Sequence, residues 1–548
     1  MIITELLERN AREAGQEISL VELNPAPRPG TESWKEFSLI EEGTDPRLRR
    51  EMTWGEFDAR ANRVANLLIS KGVKKGDKVA ILLMNCLEWL PAYFGILKTG
   101  ALVVPMNYRY TADEIKYCLD LADVTTLIFG EEFIGRIEEI LPQIPNVQLF
   151  FATSPVKKDA PAFSMDLFEM AGGASALKPA VADTLTEEDF AAIYFSSGTT
   201  GFPKAILHKH RSLIHSARCE QAHHGQTRDD VFICIPPLYH TGAKMHWFGS
   251  LISCSRAVLL RGVTPEWIIK AAASEKASIV WLLVPWAQDI LDAVDRGEIR
   301  LEDYDLSRWR LMHIGAQPVP PSLIKRWKEK FPKHEYDTNY GLSESIGPGC
   351  VHLGVENIDH VGAIGKAGFG WQTRICDENG QDVARGDVGE LWVAGPGVMT
   401  CYYKNELATK ESKCGEWLRT GDMAREDEQG FIYLVDRKKD VIITGGENLY
   451  PVQIEDFLRS NNAIKDVAVI GLPDKRLGEI AAAIIEVKPE CTLTEDEVNS
   501  FCLGLPRYKR PKKIIFAEVP RNPTGKIEKP KLRAMYCGER LVEAQTKA

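Results

Sequence analysis

The sequence predicts an α/β fold, with a large N-terminal domain of helix-covered sheets, a β-rich subdomain and a small, mobile α+β domain at the C-terminal end. Short apolar runs such as KVAILLMN, TTLIFG and RLMHIG alternate with amphipathic stretches such as TWGEFDARANRVANLLISKG. That alternation is typical of parallel sheets covered by helices. From about Gly362 to Tyr433 the runs become short and are separated by glycines, as in VGELWVAGPG and GFIYLVD, which indicates antiparallel β structure.

The length of the chain predicts more than one domain. Its 548 residues exceed what one hydrophobic core usually supports. The charged segment VDRKKD is followed by the strand-like runs DVAVIGLP, AAAIIEV and KKIIFAEV, in a block of about one hundred residues, which is a usual domain size. We therefore expect an N-terminal domain over residues 1–436, a hinge at 437–440 and a C-terminal domain over 441–548.

Composition and charge narrow the class of protein. The chain is 44% hydrophobic and 26% charged, as globular proteins are, and its net charge of −10 gives no general attraction for nucleic acid. The longest apolar neighbourhood is interrupted by Pro91 and Lys98, which argues against an integral membrane segment. The N-terminus lacks a signal-peptide pattern, and the 12 cysteines show neither a C-x-x-C pair nor zinc spacing. We expect a cytoplasmic protein with reduced thiols and no structural zinc.

The segment YFSSGTTGFPKAILHKH is typical of a phosphate-binding loop. Gly198 and Gly201 allow the backbone to approach an anion, the hydroxyls supply neutral donors, and Lys204 adds positive charge. The order differs from the common G-x-x-x-x-G-K-[ST] loop, because two other residues separate Gly201 from Lys204. A surface turn rich in Gly, Ser and Thr has the same composition, so the segment alone leaves both interpretations open.

Four further segments follow that loop: DTNYGLSES, EWLRTGDMA, YLVDRKKDVIITGGENLYPVQIE and PRNPTGKIEK. In order and spacing the five segments resemble the motifs of the adenylate-forming superfamily, which includes acyl-CoA synthetases, adenylation domains of peptide synthetases and beetle luciferases. The resemblance covers nearly the whole chain. It implies an AMP-forming acid–CoA ligase, which converts a carboxylic acid and ATP to an acyl-adenylate and pyrophosphate and then transfers the acyl group to CoA.

The resemblance also implies partners and residue roles. The partners are ATP, Mg²⁺, CoA and a small carboxylic acid, without nucleic acid, and the chain could form a homodimer. The catalytic positions are Thr199, His240, Glu344 and Lys526, with Glu344 as the metal ligand. The positions for ATP and AMP are Ser197, Gly198, Thr200, Gly201, Lys204, Gly315, Ala316, Asn339, Tyr340, Gly341, Ser343, Asp422 and Arg437. The hinge position is Lys439, the CoA positions are Gly445, Gly446 and Glu447, and the acyl-pocket positions are Lys244, Trp247, Gln317 and Ile346.

The implied chemistry suits these residue types. Adenylation brings a carboxylate against a phosphate, so catalysis must consist mostly of positioning and charge neutralisation. Glu344 offers a hard oxygen to Mg²⁺, Asp422 can accept both ribose hydroxyls, and Lys526 can contact the α-phosphate and the acid together. Each has an ordinary alternative: an acidic residue at a helix start, a turn residue and a solvated lysine, respectively.

Lys526 would occupy the space that the thiol donor needs in the second step. The resemblance implies that the C-terminal domain rotates about a hinge at Lys439, as short connecting segments do in other enzymes. The alternative is that Lys438 and Lys439 only solvate a linker.

The sequence differs from the usual ligase motifs at two positions, and both differences bear on which acid is the substrate. Asn339 stands where related ligases usually carry Gly, and Gln317 stands where a small residue is usual. Larger polar side chains there would shorten the tunnel or add hydrogen bonds, which favours a short, ring-bearing or polar acid. Lys244 could pair with a second carboxylate or face solvent, and His240 could be a packed core histidine.

Other functions fit parts of the pattern. An adenylation enzyme that loads a carrier protein would need a separate carrier, because the segment after Lys526 is too short for an attached one. A non-catalytic nucleotide-binding regulator would be expected to lack Glu344, Asp422 or Lys526, and all three are present. A luciferase-like oxygenase has the same motifs and differs in its substrate.

Overall fold

The computed structural model describes residues 1–23, 49–153, 160–196, 203–260, 264–315, 319–444, 447–521 and 527–537. The helices in chain order are α1 (Ile3–Ala14), α2 (Trp54–Ser70), α3 (Trp89–Lys98), α4 (Ala112–Leu121), α5 (Ile134–Ile140), α6 (Leu167–Gly172), α7 (His210–His224), α8 (Thr241–Ser253), α9 (Pro265–Ser274), α10 (Val284–Asp295), α11 (Pro321–Lys330), α12 (Glu406–Ser412), α13 (Pro451–Arg459), α14 (Glu495–Phe501) and α15 (Lys529–Tyr536).

The strands in chain order are β1 (Ile18–Leu23), β2 (Arg49–Thr53), β3 (Lys78–Leu82), β4 (Leu102–Pro105), β5 (Thr126–Gly130), β6 (Leu149–Thr153), β7 (Met165–Asp166), β8 (Phe190–Phe195), β9 (Ala205–Lys209), β10 (Val231–Cys234), β11 (Arg256–Leu260), β12 (Ile279–Leu283), β13 (Leu311–Gly315), β14 (Glu335–Leu342), β15 (Gly347–Leu353), β16 (Lys366–Ala367), β17 (Gln372–Cys376), β18 (Gly389–Ala394), β19 (Cys401–Tyr402), β20 (Lys413–Cys414), β21 (Trp417–Glu426), β22 (Ile432–Arg437), β23 (Ile442–Thr444), β24 (Glu447–Leu449), β25 (Ile464–Asp474), β26 (Gly478–Val487) and β27 (Lys513–Phe516).

Two large sheets form the N-terminal part. One has the order β16-β15-β14-β13-β12-β10-β11-β1-β2 and the other β19-β9-β8-β4-β3-β5-β6-β7. Neighbours from β1 to β14 in the first sheet, and from β8 to β7 in the second, pair in parallel, as the sequence predicts. The strands added at the edges, β2, β15, β16, β9 and β19, are antiparallel.

Helices cover both faces of these sheets. One apolar core joins α1, α2, α3, α7 and α8 to strands of both sheets, so these helices lie between them. A second core packs α9, α10 and α11 on the other face of the first sheet, and a third packs α4 and α5 on the outer face of the second. Because the strands are buried on both faces, they read as continuous apolar runs in the sequence.

Local sequence explains where α2 begins. The Thr53 hydroxyl accepts a hydrogen bond from Glu56 N at 3.2 Å, and the Glu56 carboxylate accepts one from Thr53 N at 2.9 Å. This reciprocal capping box satisfies two amide groups that a helix start leaves without partners. The apolar positions that follow face the core between the two sheets.

Two smaller sheets complete the fold. The β-rich subdomain has the antiparallel order β17-β18-β21-β20, with β22 added on β21. The C-terminal sheet has the order β24-β23-β26-β25 with β27 beside β26; α13 and α14 cover one face and α15 covers the other. The predicted α/β class with a β-rich part and a small α+β part is confirmed. Among the helices described, none has both the length and the apolarity that crossing a bilayer requires.

Candidate active site

Several predicted positions lie outside the described residues, and their roles stay predictions. They are Ser197, Gly198, Thr199, Thr200, Gly201, Ala316, Gln317, Gly445, Gly446 and Lys526. Of the CoA positions, Glu447 is described as the first residue of β24, paired with Thr444.

The two ends of the phosphate-loop segment are joined. Ser196 N donates to the Lys204 carbonyl at 3.0 Å, and Lys204 N donates to the Ser196 hydroxyl at 3.0 Å. β8 and β9 pair antiparallel on either side of this junction, with Phe195 opposite Ala205. The segment between them therefore starts and ends at one point of the sheet, next to Lys204.

Glu344 lies close to Lys204 because both contact Tyr402. The Tyr402 hydroxyl donates to Glu344 Oε1 at 2.8 Å, and the Lys204 ammonium lies 4.8 Å from the centre of the Tyr402 ring. Met399 N also donates to the Glu344 carbonyl at 2.8 Å. These contacts bring the predicted phosphate-binding lysine and the predicted metal ligand to the same place.

The turn that carries Ser343 and Glu344 is also held from β9. His208 Nε2 lies 2.9 Å from the Ser343 carbonyl, which requires a proton on Nε2 for a hydrogen bond. Burial lowers the pKa of His208 to about 4, so the ring is neutral at neutral pH. A neutral imidazole with its proton on Nε2 fixes the position of this turn.

Tyr340, Asp422 and Arg437 form the second part of the site. The Tyr340 hydroxyl lies 2.5 Å from Asp422 Oδ2, and Arg437 Nε lies 3.1 Å from Asp422 Oδ1. Burial and the Asp422 charge raise the pKa of Tyr340, so the phenol keeps its proton and donates it. Asp422 Oδ2 accepts a hydrogen bond from Tyr340 and Oδ1 is ion-paired with Arg437; a carboxylate has about four lone-pair sites, so it can still accept hydroxyl groups.

Adjacent strands place Gly315 and Asn339 on one face. His313 pairs with Asp337 in parallel register, and the residues two positions further along each strand share that face. A Cβ atom on Gly315 would lie 3.8 Å from the Asn339 carbonyl, which is an ordinary van der Waals distance, so the two residues are direct neighbours. Gly341 follows within the same strand, β14.

The residue after the Ser343–Ser345 turn has an unusual backbone. Ile346 is buried and has a φ of +57°, in the left-handed region that β-branched residues rarely adopt. Such conformations persist only where the surroundings hold them, and they concentrate at functional sites.

His240 caps the start of α8. Its Nδ1 accepts a hydrogen bond from Gly242 N at 3.2 Å, so the ring proton in this arrangement is on Nε2. This contact explains why a histidine precedes the helix. A catalytic role of His240 stays a prediction.

Lys244 is fully buried, so the solvent-facing alternative is wrong. Its ammonium nitrogen lies 4.0 Å from the centre of the Tyr194 ring, 4.8 Å from Tyr93 and 5.5 Å from Trp89, and it has no hydrogen-bond partner within the described parts of the chain. Burial holds its pKa well below the usual range.

Trp247 follows one turn later on α8 and is also fully buried. Its ring packs against Phe57, Phe94 and Phe248, with centroid distances of 5.8 to 5.9 Å. It therefore contributes to the core between the sheets, and its role as a wall of the acyl pocket stays a prediction.

The hinge segment contacts the helix that follows Lys526. Residues 438–440 form one 3₁₀ turn, and the buried Asp440 makes an ion pair with Arg533 of α15 at 2.7 Å. Partial desolvation and the charges of Arg437 and Arg533 lower the pKa of Lys439 to about 8, although part of its side chain is exposed. The segment is thus a short, charged connection held at both ends.

Comparison with known families decides the class of the protein. The family model described as AMP-binding enzyme matches residues 39–403, and the model described as AMP-binding enzyme C-terminal domain matches residues 453–526. The chain belongs to the AMP-binding enzyme family. The two matches bracket the predicted hinge, although the exact domain boundaries stay predictions.

Relatives of this AMP-binding enzyme are acid–CoA ligases. It is 33% identical to a long-chain-fatty-acid–CoA ligase of Mycobacterium tuberculosis, covering 91% of this chain and 95% of the relative. It is also 30% identical to a 2-succinylbenzoate–CoA ligase of Bacillus cereus, and the alignment covers 88% of this chain and 94% of that relative. A crystal structure of an anthranilate CoA ligase bound to anthranoyl-AMP aligns with a TM-score of 0.84 at 25% sequence identity. The alignment covers 98% of this chain and 97% of that one.

The predicted reaction class is therefore confirmed: the protein is an AMP-forming acyl-CoA ligase, with ATP and CoA as substrates. The acids named for these relatives differ from one another, so the family alone does not determine the acid.

Two residues at the site of this AMP-binding enzyme, Tyr402 and His208, are not among the positions predicted from the sequence. Tyr402 lies in the segment TCYYKNE, and β19 brings it beside β9, opposite Ile206. His208 faces Ser343 from β9. Strand pairing brings Tyr402 to the site, and a side-chain hydrogen bond connects His208 to it. Both contacts join residues far apart in the sequence, so no local pattern of residues marks them.

Proposed function

We propose that this ligase activates a short or medium-length carboxylic acid that is ring-bearing or carries a second polar group. The observation that carries the proposal is a pair of buried nitrogen atoms, Lys244 Nζ and Asn339 Nδ2, neither of which has a hydrogen-bond partner among the described residues. Buried polar atoms are normally paired, and an unpaired one costs about 1–3 kcal/mol. An oxygen on the acyl group could supply the missing partner.

The environment of Lys244 favours a polar acid as the substrate. Its ammonium group faces the rings of Tyr93 and Tyr194, which attract a cation but accept no strong hydrogen bond. Taking a cation out of water without a counter-ion is unfavourable, which is why burial lowers its pKa. A second carboxylate or a carbonyl oxygen of the acid would stabilise the nitrogen in that position.

The position of Asn339 in β14 favours a short acid as the substrate. Asn339 lies within β14, beside Gly315, the last residue of the neighbouring strand β13. A polar side chain at that point would stop a long hydrocarbon tail and would favour an acceptor oxygen. The relatives named for anthranilate and 2-succinylbenzoate support a ring-bearing acid, and the relative named for long-chain fatty acids is the contrary case.

ATP is proposed to lie between the two clusters of the site. Asp422 and Arg437 would contact the ribose, the ring of Tyr340 would lie against adenine, and Lys204 with the hydroxyls of its loop would contact the β- and γ-phosphates. The acid would attack the α-phosphorus while the bond to the pyrophosphate oxygen breaks. Lys526 would neutralise charge on the α-phosphate and on the acid.

Glu344 fits the proposed Mg²⁺. Among the described residues, Tyr402 engages Oε1, and a single carboxylate completed by phosphates and water is the ligand set that Mg²⁺ prefers. The ion would neutralise phosphate charge. The role of this chain is to hold the carboxylate in place through Tyr402 and through the Met399 amide.

The thioester step is proposed to follow rotation of the C-terminal domain about Lys439, with CoA approaching past Gly445, Gly446 and Glu447. A homodimer and a cytoplasmic location also stay predictions.

The reaction test uses the purified protein with ATP, Mg²⁺, CoA and a panel of acids, and it measures AMP and pyrophosphate. We expect AMP release to require CoA, with the highest kcat/KM for short acids that bear a ring or a second oxygen function. AMP release that needs a carrier protein instead of CoA would favour the carrier-loading alternative. A preference for long unbranched fatty acids would contradict the proposed substrate class.

The residue test compares Lys244→Met with the wild type on two acids of equal length, one monocarboxylic and one dicarboxylic. We expect kcat/KM for the dicarboxylic acid to fall roughly 10- to 100-fold, because a hydrogen bond to a charged group is lost, and the value for the monocarboxylic acid to stay the same or rise. Asn339→Gly should admit longer acids. An equal loss on both acids in Lys244→Met would show that Lys244 serves only the fold.

A further inference from the structure

We propose that His224, His246 and His313 bind a divalent transition-metal ion, and that Zn²⁺ is the ion that fits best. These three residues are called the histidine cluster below. His224 ends α7, His246 lies in the middle of α8 and His313 lies on β13. All three are buried, and one ligand nitrogen from each lies within 4.8 Å of the other two.

Two of the rings are oriented as metal ligands usually are. His246 Nδ1 lies 2.6 Å from Glu220 Oε2, and His313 Nδ1 lies 2.6 Å from Asp337 Oδ1. A neutral histidine that donates its Nδ1 proton to a carboxylate presents the lone pair of Nε2. Metal-binding histidines are typically held by such carboxylates, which fix the ring and make the free nitrogen more basic.

The free nitrogens have nothing to bind within the described residues. His246 Nε2 and His313 Nε2 are both buried and both lack a hydrogen-bond partner there. Polar atoms in a protein interior are normally paired, so two unpaired lone pairs in one cluster call for an electron-pair acceptor. A metal ion is such an acceptor.

The third ring lies between the two carboxylates. His224 Nε2 is 3.4 Å from Asp337 Oδ2 and 3.3 Å from His313 Nδ1, while His224 Nδ1 is 3.5 Å from Glu220 Oε2. These separations are long for hydrogen bonds, so the ring is not committed to one partner. A small rotation would let one of its nitrogens serve as a ligand.

Two buried carboxylates flank the histidine cluster. Glu220 and Asp337 are fully buried, and the ion pairs recorded for them in the described structure are with histidines alone. Carboxylates placed in this way can orient the rings of metal-binding histidines.

The ligand set selects the kind of ion. Imidazole nitrogens suit Zn²⁺, Cu²⁺, Ni²⁺ and Fe²⁺, whereas Mg²⁺ and Ca²⁺ prefer oxygen. Tetrahedral Zn²⁺ with Zn–N bonds of about 2.0–2.1 Å needs ligand nitrogens about 3.4 Å apart, so nitrogens that lie within 4.8 Å of one another would have to approach by at most about 1.4 Å. The site differs in its chemistry from the proposed Mg²⁺ site at Glu344, and it does not depend on the proposed acid.

The first test measures metal on the full-length wild-type protein. After treatment with a chelator and dialysis, the protein is titrated with Zn²⁺ and with Co²⁺, and bound metal is determined by elemental analysis. We expect one Zn²⁺ per chain, a visible Co²⁺ spectrum typical of tetrahedral nitrogen ligation, and a higher Tm with Zn²⁺ that Mg²⁺ does not reproduce. Failure to bind Zn²⁺ above background, or a Co²⁺ spectrum unchanged from the aqueous ion, would overturn the proposal.

The second test uses variants. His246→Ala and His313→Ala should each weaken Zn²⁺ binding by more than roughly 100-fold, and Glu220→Gln should weaken it roughly 10- to 100-fold. The control is His334→Gln, another buried histidine, which stacks on Trp309 and Phe331 instead of facing carboxylates. Zn²⁺ affinity that falls equally in His334→Gln and in His246→Ala would place the metal elsewhere. The wild-type titration decides the matter even if a variant fails to fold.

Discussion

The Tyr340 hydroxyl lies 2.5 Å from Asp422 Oδ2, joining two motifs that are 82 positions apart in the sequence. Arg437 binds the other Asp422 oxygen, so the carboxylate is held on both sides. The Asp422 carboxylate, which is proposed to bind the ribose, is therefore already held in position in the absence of a nucleotide. Groups fixed in advance lose less conformational entropy on binding.

Tyr340→Phe removes that hydroxyl and keeps the ring. A hydrogen bond to a charged group contributes about 1.5–3 kcal/mol, so we expect the KM for ATP to rise about tenfold or more, with a smaller effect on the KM for the acid. Steady-state kinetics with each substrate varied in turn would measure this. An unchanged KM for ATP together with a raised KM for the acid would contradict the assignment of Asp422 to the nucleotide.

Tyr402→Phe removes the hydrogen bond to Glu344. Because partners of a metal ligand affect affinity about 10- to 100-fold, we expect the Mg²⁺ concentration for half-maximal adenylation to rise about tenfold. Pyrophosphate release at varied Mg²⁺ is the measurement. The matched control is Tyr403→Phe, since the neighbouring hydroxyl donates to Asp123 at 2.9 Å instead. The same Mg²⁺ shift in both variants would count against the role of Glu344.

Lys439→Pro restricts the backbone of the proposed hinge. Proline fixes its own φ and limits the residue before it, so we expect thioester formation to slow more than adenylate formation. The two half-reactions are assayed separately, as pyrophosphate release without CoA and as acyl transfer from preformed adenylate. Lys439→Ala, which keeps the backbone free, serves as the control. Equal slowing of both half-reactions in Lys439→Pro would refute a hinge at this position.

The titration of His208 is expected to lower the free energy of unfolding at acidic pH. Its folded pKa of about 4 is below the usual 6.5, so the unfolded chain binds the proton more readily and stability falls as the pH drops from 6.5 towards 4. His208→Gln keeps a donor for the Ser343 carbonyl and removes this titration. We expect its free energy of unfolding to fall less than that of the wild type, by about 3 kcal/mol at pH 4. Urea unfolding at several pH values is the measurement, and parallel curves for the two proteins would disprove the assignment.

The sequence predicted more of the fold than of the site. The runs KVAILLMN and RLMHIG correspond to β3 and β13, and the amphipathic stretch TWGEFDARANRVANLLISKG corresponds to α2. Burial on both faces and helical periodicity are local properties, so they can be read from neighbouring residues. The antiparallel edge strands β9 and β19 were not predicted as such, because the choice of partner at a sheet edge depends on distant segments.

The lysine at position 244 shows the limit of residue-by-residue reasoning. A lysine is usually solvated, and nothing in GAKMHWFG indicates that three aromatic rings from α3 and β8 surround this one. The histidines gave no zinc spacing either. His224, His246 and His313 lie on three separate elements, and the packing of α7 and α8 against β13 brings them together.

The amino-acid sequence by itself determined the α/β class and the reaction class, because both follow from local periodicity and from motifs whose order is visible along the chain. The tertiary structure alone decided that Tyr402 holds Glu344, that Lys244 is buried, and that three histidines meet around two carboxylates. The physical reason is that such contacts depend on strand pairing and helix packing between segments far apart in sequence, whose geometry no short stretch of residues encodes.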